Sequence, residues 1–436
     1  MKIHTFTRGG LMYRDDTAPQ GASSRIAFLP TIAVLPMLQH SGTPASPVVF
    51  CGDTIKEGMV VGRSEGKESA VIHASIPGKV VKNVVWRMPD GKDSSALVVK
   101  LEGSFEKLGK RRELFSWNGM SSADLQRTIT EKGVVEMENR GRSVADLLSK
   151  ARNSNVKTLI VVNAVFDDEW LAAERAVLAE RAEAVAEGVE IVMKVSSGSA
   201  LVLSVSKEHQ MLATPILDFL SARGIHASLA VLSSKYPQRN IRELEIALRS
   251  FYKGSATEFD NVLPFGMSTL AAVHDAVRFN MPLIERYVAI GGDVVKHPAV
   301  LRVRIGTRIG DAIAECGGFI EEPSRIIIGS PLTGRSVYDL DSPITKTTSA
   351  VVAVSRRKMG GTTVRACVGC GNCRSVCPVG LDPERLHKLI MLGRYEEATD
   401  EGAASCHGCA CCAAVCPSRL PLRASILLSA DKGGRS

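Results

Sequence analysis

Strands and helices alternate through the middle of the chain. The stretch "KTLIVVNAVF", which begins at Lys157, is apolar almost throughout, and "SALVLSVSK" and "HASLAVLSS" have the same character. Such runs are typical of strands that are buried on both faces of a sheet. Between them, apolar positions three and four residues apart predict helices, the longest running from Leu171 to Lys194. This order predicts a Rossmann-like α/β domain with a parallel sheet covered by helices.

Shorter strands precede this domain. From Pro47 to Val81, apolar runs are separated by glycine turns, as in "VVFCGDTIKEGMVVGR" and "AVIHASIPGKVV". This spacing resembles the barrel-sandwich hybrid of lipoyl and biotinyl domains. Those domains carry their cofactor on a hairpin lysine, and Lys67 is the only lysine between the two halves. Its neighbours resemble neither attachment site, so we expect this domain to be a scaffold.

A third pattern begins at Ile284. Up to Phe319 it predicts a two-strand hairpin followed by a short helix, and "SRIIIGSPLTGR" and "ITKTTSAVVAVSR" predict further strands. The order strand, strand, helix, strand predicts a small β-grasp domain. His297, beside Pro298, is expected to be a residue of the hairpin turn and not a ligand.

Most of the eleven cysteines form a repeated motif near the end of the chain. The spacing C-x2-C-x2-C-x3-C-P occurs twice, in a first motif and a second motif. Their cysteines are Cys367, Cys370, Cys373 and Cys377, then Cys406, Cys409, Cys412 and Cys416. Three thiolates spaced in this way can bind three corners of one [4Fe-4S] cluster, and in two-cluster ferredoxins the fourth cysteine serves the other cluster. We therefore expect the first three cysteines of each motif to share a cluster with the last cysteine of the other.

Zinc and disulfides are the alternatives to iron-sulfur clusters for these cysteines. Structural zinc sites usually pair two C-x2-4-C knuckles or add histidines, so the repeated spacing fits zinc poorly. Disulfides are typical of small secreted proteins, whereas Cys51 and Cys316 are isolated in this chain and indicate a reducing compartment. The spacing therefore favours two [4Fe-4S] clusters.

Other residues of the cysteine-rich segment have different expected roles. Cys411 falls outside the repeat and is expected to be a small buried residue beside a cluster. His407 is expected to face solvent or to surround the cluster, because no ligand cysteine is missing. Between the motifs, a helix is predicted after Asp382 and Pro383. A compact bacterial ferredoxin has little room for that insertion, so an α-helical two-cluster ferredoxin domain is predicted.

The bulk composition agrees with a multidomain globular protein. The 436 residues suffice for three or four domains, with 45% hydrophobic and 23% charged residues. The start of the chain lacks the apolar region of a signal peptide, and its most apolar early run is too short to span a bilayer. The net charge of +8 suits an acidic partner or an anionic membrane surface, and it equally suits a basic surface that is simply solvated. A local basic cluster contains Lys107, Lys110, Arg111 and Arg112, but aromatics are only 5%, so nucleic-acid binding is not expected.

Several longer segments together resemble one family. These are "PMLQHSGTPASPVVFCGDTIKEGMVV", "IHASIPGKVV", "MPLIERYVAIGGDVVKHPAVLRVRIGT", "GSPLTGRSVYDLDSPITKTTSAVVAVS" and the two cysteine motifs. Over nearly the whole chain they are similar to the C subunit of the Rnf ion-translocating electron transport complex. The resemblance implies a multidomain α/β and α+β chain with four domains in order. These are a barrel-sandwich hybrid at 1–120, a flavoprotein-like α/β domain at 121–255, a β-grasp domain of SLBB type at 256–356 and an α-helical ferredoxin domain at 357–436.

The resemblance also implies a function. In the family, the subunit is peripheral, lies on the cytoplasmic side of the inner membrane and passes electrons from NADH through FMN to iron-sulfur centres. The complex couples that flow to transport of Na+ or H+. We therefore expect an electron-transfer subunit that works with the other subunits of an Rnf-type complex. The alternative is a scaffold that keeps its clusters for folding alone.

The flavin-binding part departs from the family. There a glycine-rich G-x-G-G-A-G-F-P loop cradles FMN and NADH, whereas the matching residues 136–144 read "EMENRGRSV", with Gly141 as the single glycine. Side chains in this loop would keep the backbone away from a phosphate, and the carboxylates of Glu136 and Glu138 would repel it. We therefore expect neither FMN nor NADH to bind in the family's manner. A protein carrier, such as an acidic flavodoxin or ferredoxin, would then supply the electrons.

A second segment differs in the same way. Where the family has an acidic N-G-A-E-C-E-P-Y type segment, this chain reads "NAVFDDEW", and only Asn163 and Glu169 match it loosely. Asp167 and Asp168 could stand in for the family's carboxylates. We expect them instead to form the N-terminal cap of a helix before Trp170.

Overall fold

The computed structural model describes residues 2–66, 68–88, 91–105, 113–138, 141–196, 200–359 and 363–433. Three features of the sequence lie outside these residues: Lys67, the basic cluster from Lys107 to Arg112, and Asn139 with Arg140 of the altered loop.

Two small antiparallel sheets enclose the core of the N-terminal region. One sheet has the order β2-β8-β7-β4 and the other β3-β5-β6. Leu35, Val61, Ile76 and Leu97 are buried between them. The barrel-sandwich architecture expected from the glycine-punctuated strands is therefore present. The strands up to residue 101 are β1 (Ser24–Ile26), β2 (Ile32–Pro36), β3 (Ser46–Pro47), β4 (Thr54–Ile55), β5 (Val60–Arg63), β6 (Ile72–His73), β7 (Gly78–Arg87) and β8 (Asp93–Leu101).

The first residues of the chain do not stay within this barrel. His4 forms a parallel bridge with Leu232, and Leu11 forms an antiparallel bridge with Tyr236. Strand β1 pairs in parallel with residues 300–302 of the β-grasp sheet. The N-terminal segment therefore contacts two other parts of the molecule, and the boundaries at residues 120, 255 and 356 stay predictions.

A four-stranded parallel sheet forms the centre of the α/β domain, with the order β13-β12-β11-β14. Every residue of β11 is buried, which explains its uninterrupted apolar character. The strands are β9 (Val135–Glu136), β10 (Arg142–Ser143), β11 (Thr158–Ala164), β12 (Ala200–Ser206), β13 (Ser228–Leu232) and β14 (Asn261–Phe265). The helices are α1 (Ser122–Glu131), α2 (Val144–Asn153), α3 (Ala172–Glu180), α4 (Ala182–Ser196), α5 (Gln210–Ala222), α6 (Ile241–Phe251) and α7 (Met267–Arg278).

One helix prediction is wrong. The continuous helix expected from Leu171 to Lys194 is divided into α3 and α4, because Arg181 leaves the helical conformation with φ −134° and ψ 31°. Its guanidinium donates to both carboxylate oxygens of Asp275 on α7, at 3.0 and 2.6 Å. Apolar periodicity could not reveal this break, since both halves keep their apolar faces on the same core.

The β-grasp domain contains the predicted hairpin, helix and later strands. Its mixed sheet has the order β1-β16-β15-β19-β17-β18. His297 is exposed in the turn between β15 and β16, as expected. The elements are β15 (Glu285–Gly291), β16 (Ala299–Arg304), α8 (Ile309–Glu315), β17 (Arg325–Ile328), β18 (Arg335–Val337) and β19 (Ala350–Val354).

Short helices surround the cysteine motifs. Leu386, Ile390, Ala398 and Ile426 form their core, and Asp382 caps α11 by accepting from the Arg385 N–H. The helices are α9 (Arg356–Met359), α10 (Asn372–Ser375), α11 (Pro383–Met391), α12 (Tyr395–Asp400), α13 (Cys411–Ala414) and α14 (Leu422–Gly433). Among the described residues, no helix combines the length and apolar character needed to cross a lipid bilayer.

Candidate metal centres

The two cysteine motifs adopt the same backbone conformation. At each of three matching positions, both motifs have a residue with positive φ. The pairs are Gly369 and Gly408 (68° and 73°), Gly371 and Ala410 (71° and 67°), and Gly380 and Arg419 (78° and 56°). In both motifs a short helix, α10 or α13, begins directly after the second pair. The repeat seen in the sequence is therefore also a repeat in three dimensions.

These turns direct backbone N–H groups at cysteine sulfurs. The Gly369 N–H donates to Cys367 Sγ at 3.4 Å, and the Leu381 N–H donates to Cys377 Sγ at 3.3 Å. Hydrogen bonds to the sulfurs are one of the features by which proteins set the reduction potential of an iron-sulfur cluster.

The last cysteine of the first motif lies with the second motif. Cys377, Cys406, Cys409 and Cys412 line one pocket, whose wall also contains Cys411. Burial raises the pKa of the Cys412 thiol to about 12, and Cys409, Cys406 and Cys377 are the neighbours that add to this shift. The structure thus brings together one of the two ligand sets expected from the sequence.

The other expected set is more open. Burial raises the pKa of the Cys373 thiol, and Cys416 is among the neighbouring groups that add to the increase. Cys367 and Cys370 are exposed, as are all residues from 363 to 372. The beginning of the first motif therefore lies at the molecular surface, whereas its last cysteine, Cys377, and Cys412 of the second motif are buried. The assignment of all eight cysteines as ligands stays a prediction.

The segment from Tyr236 to Glu243 covers the second motif, and we name it the cover loop. Tyr236 Oη donates to the carbonyl oxygen of Cys409 at 2.9 Å. Asn240 Nδ2 lies 2.9 Å from His407 Nδ1, and Glu243 Oε1 lies 3.1 Å from His407 Nε2. His407 is exposed overall, and both of its ring nitrogens contact the cover loop. It therefore combines the two expected positions, since it faces solvent and lies beside the metal site.

Cys411 occupies the place expected for it. It is fully buried, and the proximity of its thiol lowers the pKa of the Cys409 thiol. The matching residue of the first motif, Asn372, is exposed. The two motifs thus differ in their inner surroundings as well as in their cover.

The residues present fit two iron-sulfur clusters. Eight thiols are available, N–H groups point at two of the sulfurs, and a Cβ added at Gly369 or Gly371 would meet no described atom within 4 Å. A cuboidal cluster needs such open turns and one thiolate at each iron. Within the described residues, no three His, Cys, Asp or Glu side chains are placed to hold a single metal ion.

The switch point of the α/β sheet lies next to the cover loop, at the carboxyl ends of β11 and β14, and we name this place the crevice. The chain runs from β11 to β12 and β13 on one side and reaches β14 on the other, so the strand order reverses between β11 and β14. Ligands of open α/β sheets bind at such a reversal point. Helix α7 begins here, and a helix N-terminus attracts anions.

Carboxylates of the chain itself occupy this helix N-terminus. Glu174 accepts from the backbone N–H of Ser268 at 3.0 Å and also from its hydroxyl. Glu136 accepts from the hydroxyl of Thr269 at 3.3 Å. Glu174 and Glu136 are only 1% and 2% exposed, so both groups are fixed within the protein.

A guanidinium occupies the carboxyl end of β11. Arg239 Nη1 donates to the carbonyl oxygens of Asn163 and Val165, at 2.7 and 2.8 Å. Its Nε and Nη2 donate to the carboxylate of Glu138, and its backbone N–H donates to Asp167 at 2.9 Å. Side chains of the chain itself thus occupy this end of the sheet.

The electrostatics of the crevice follow from this crowding. Burial raises the pKa of Glu138, with Glu174 and Glu136 adding to the effect and Arg239 opposing it. Arg286 is 1% exposed, donates to Met137 Sδ at 2.9 Å and lies 3.8 Å from Glu174. The crevice therefore holds three carboxylates and two guanidiniums close together, and a phosphate would add a further negative charge.

Gly141 has a packing role in the altered loop. Its φ is 73°, and an added Cβ would lie 2.9 Å from the Cα of His40. Its carbonyl oxygen accepts from the Ser41 N–H at 3.2 Å. The single glycine of residues 136–144 thus allows the "LQHSGTPA" segment to approach closely.

The two aspartates of "NAVFDDEW" have different roles. Asp168 accepts from the Trp170 N–H at 2.9 Å and caps the short turn Glu169–Leu171, as expected. Asp167 is not part of that cap; it accepts from the Arg239 N–H, and burial raises its pKa to about 7. The sequence offered no signal for Arg239, because its partner Glu138 is far away along the chain.

Comparison with known proteins gives the following matches. Family models match three parts of the chain: the RnfC barrel sandwich hybrid domain at residues 5–104, the SLBB domain at residues 287–338 and the 4Fe-4S dicluster domain at residues 366–420. Iron-sulfur clusters are therefore the cofactor of the C-terminal domain.

Relatives match over most of the chain. The C subunit of a proton-translocating ferredoxin:NAD(+) oxidoreductase complex from Clostridium ljungdahlii is 30% identical, with 90% of this chain and 86% of that protein covered. The C subunit of an ion-translocating oxidoreductase complex from Rhodobacter capsulatus is 30% identical, with 93% and 78% covered.

A solved structure shows a similar fold. A chain of an NAD+-reducing [NiFe]-hydrogenase in its H2-reduced state matches with a TM-score of 0.50 and 14% identity. The match covers 72% of this chain and 60% of the hydrogenase chain. At that identity, the likeness concerns the fold alone.

Proposed function

Since the chain belongs to the family of C subunits of Rnf-type ion-translocating oxidoreductase complexes, we propose that it is the peripheral electron-transfer subunit of such a complex. It works with the other subunits and lies on the cytoplasmic side of the inner membrane. The observation that carries this proposal is the pair of cysteine motifs with one backbone conformation, one motif at the surface and one against the α/β domain.

The metal centres are two [4Fe-4S] clusters bound by eight cysteines. Cys377 serves with the first three cysteines of the second motif, and Cys416 serves with those of the first. The pocket that Cys377 shares with Cys406, Cys409 and Cys412 supports this sharing. Such clusters supply one-electron transfer. The protein's part is to hold them, to direct N–H groups at the sulfurs and to limit the access of water.

The α/β domain takes part without FMN or NADH. The support for this claim is the crevice, where Glu174 occupies the N-terminus of α7 and Arg239 occupies the end of β11. A protein carrier then delivers the electrons, and an acidic flavodoxin or ferredoxin suits the net charge of +8.

Anaerobic purification tests these proposals together. The chain should contain about eight irons and no stoichiometric FMN, and a reduced flavodoxin or ferredoxin should reduce its clusters. An NADH:ferricyanide assay should give no activity. Clusters that no protein donor reduces would instead indicate a folding scaffold, and bound FMN with NADH-driven reduction would contradict the absence of a flavin.

A further inference from the structure

We propose that Arg239, anchored by Glu138, is a positioning residue for the second iron-sulfur site. The inference rests on the proposed function, because it assigns to the filled crevice a role toward one of the two clusters. The contacts of Arg239 in the crevice fix the cover loop, and the cover loop in turn contacts the second motif.

Arg239 is fixed by an unusually complete set of partners. Its guanidinium donates to Glu138 and to two carbonyl oxygens at the end of β11. Its backbone is fixed as well, since its N–H donates to Asp167 and its carbonyl oxygen accepts from Asn163 Nδ2 at 3.3 Å. The Arg239 side chain is only 11% exposed, and that of Glu138 is 21% exposed. The middle of the cover loop is therefore tied to the sheet.

The residues on both sides of Arg239 contact the second motif. Tyr236 donates to the Cys409 carbonyl oxygen, and Asn240 and Glu243 contact His407. Fully buried Gln238 braces the loop internally, because its Nε2 donates to the Glu243 carbonyl oxygen at 3.0 Å. A displacement of Arg239 would thus shift Tyr236, which is three residues away and contacts the backbone of Cys409.

The first three cysteines of the first motif lie away from the cover loop. Residues 363–372 are exposed, and the Arg365 N–H donates to the Ser418 carbonyl oxygen at 3.0 Å, within the ferredoxin domain. The N-terminal segment contacts the end of this motif, where the Gly10 N–H donates to the Val376 carbonyl oxygen at 2.9 Å. That contact lies beside Cys377, which serves the second site in the proposed sharing. A change at Arg239 should therefore affect the cluster of the second site and leave that of the first site unchanged. This selectivity distinguishes a positioning role from a general loss of fold.

The test compares the whole cluster-loaded chain with Arg239→Ala, Arg239→Lys and Glu138→Gln variants. Arg223→Ala is the matched control, since it removes an ion pair with Glu190 in the same domain, away from the crevice. EPR-monitored redox titration and iron release to a chelator are measured for each cluster. Cys370→Ala and Cys409→Ala variants assign the signals to the first and second sites.

In Arg239→Ala, iron should leave the second site roughly tenfold faster, as expected when charged hydrogen bonds to a buried anchor are lost. The EPR signal and midpoint potential of that cluster should change as well, while the first cluster keeps its values. The Lys and Gln variants should fall between Arg239→Ala and the wild type, and Arg223→Ala should match the wild type.

Other results would overturn the inference. Equal changes at both clusters would indicate a general loss of fold, and unchanged values at the second cluster would show that the crevice does not support it. If the wild-type chain has two reducible clusters, neither of these outcomes contradicts the proposed function. A wild-type chain without reducible clusters would instead contradict the proposed function itself.

Discussion

The first and second cysteine motifs share a spacing and a backbone conformation, but they lie in different surroundings. Cys367 and Cys370 are open to solvent, whereas Cys412 is buried and the second motif is covered by residues 236–243. Hydrogen bonds to sulfur and exposure to solvent are two of the factors that set the potential of an iron-sulfur cluster. The difference teaches that ligand spacing indicates the kind of cofactor, while segments distant in sequence determine how far each site is exposed to solvent.

This difference also has a consequence for partners. The first motif is open to direct approach by a protein carrier or by a neighbouring subunit. The second motif lies behind Tyr236 and beside His407, so we expect it to exchange electrons mainly through the first.

The largest expected effect concerns the ligands themselves. Cys412→Ala should remove or convert one cluster, because it deletes a thiolate from an iron. Cys411→Ala should leave both clusters in place, because Cys411 falls outside the repeated ligand spacing. Iron analysis and EPR measure both variants, and exchanged outcomes would show that the ligand assignment is wrong.

Lowering the pH should destabilise the whole fold, so the two metal sites should respond to it in the same way. Burial lowers the pKa of His40 to about 4 and that of His73 to about 3, from 6.5 in the unfolded chain. As the pH falls below 6.5, the unfolded chain binds protons that the folded chain excludes, so the free energy of unfolding should decrease. When a histidine is fully protonated in the unfolded chain and in the folded chain, the loss in the free energy of unfolding is about 1.4 kcal/mol for each unit by which its folded and unfolded pKa values differ.

Denaturant unfolding between pH 7 and pH 4 measures this loss, and both clusters should be released together. His73→Gln should reduce the pH dependence, whereas a Gln substitution of the exposed His297 should not. An unchanged pH profile in the His73 variant would contradict the account.

A smaller and selective effect is expected at the cover loop. Tyr236→Phe removes the hydrogen bond to the Cys409 carbonyl oxygen and should weaken the second site by about 1 kcal/mol. Iron release from each cluster is the measurement. Tyr338→Phe is the control, since that side chain is 94% exposed. Faster iron release from the first site in Tyr236→Phe would contradict the claim that the cover loop acts on the second motif alone.

The smallest expected effect concerns the backbone of the repeat. Ala410 has a φ of 67°, a conformation that glycine adopts without strain, and its counterpart is Gly371. Ala410→Gly should stabilise the second motif by about 0.5 to 1 kcal/mol, and Gly371→Ala should destabilise the first by a similar amount. The urea midpoint for the loss of cluster absorbance measures both. Shifts of the same sign would contradict the structural repeat.

Much of this architecture was predictable because its signals are local. The parallel sheet follows from the apolar character of β11 and its neighbours, and the cluster motifs follow from cysteine spacing. The cap formed by Asp382 before Pro383 was also readable from adjacent residues. Each of these features depends on residues that are close in sequence.

The features that were missed depend on long-range contacts. Arg181, where the helix divides, pairs with Asp275 on α7, and Arg239 pairs with Glu138, which comes from another segment. The parallel pairing of β1 with β16 is of the same kind. Periodicity and spacing do not carry such information, so the exposure of the two metal sites could not be derived from the sequence.

The central claim is that two clusters of one kind lie in unequal surroundings. Pulsed EPR after exchange into D2O tests it most directly, because it detects deuterons near each reduced cluster. We predict strong deuterium coupling at the cluster bound mainly by Cys367, Cys370 and Cys373, and weak coupling at the cluster bound mainly by Cys406, Cys409 and Cys412. Equal coupling at both clusters, or stronger coupling at the second, would contradict the account.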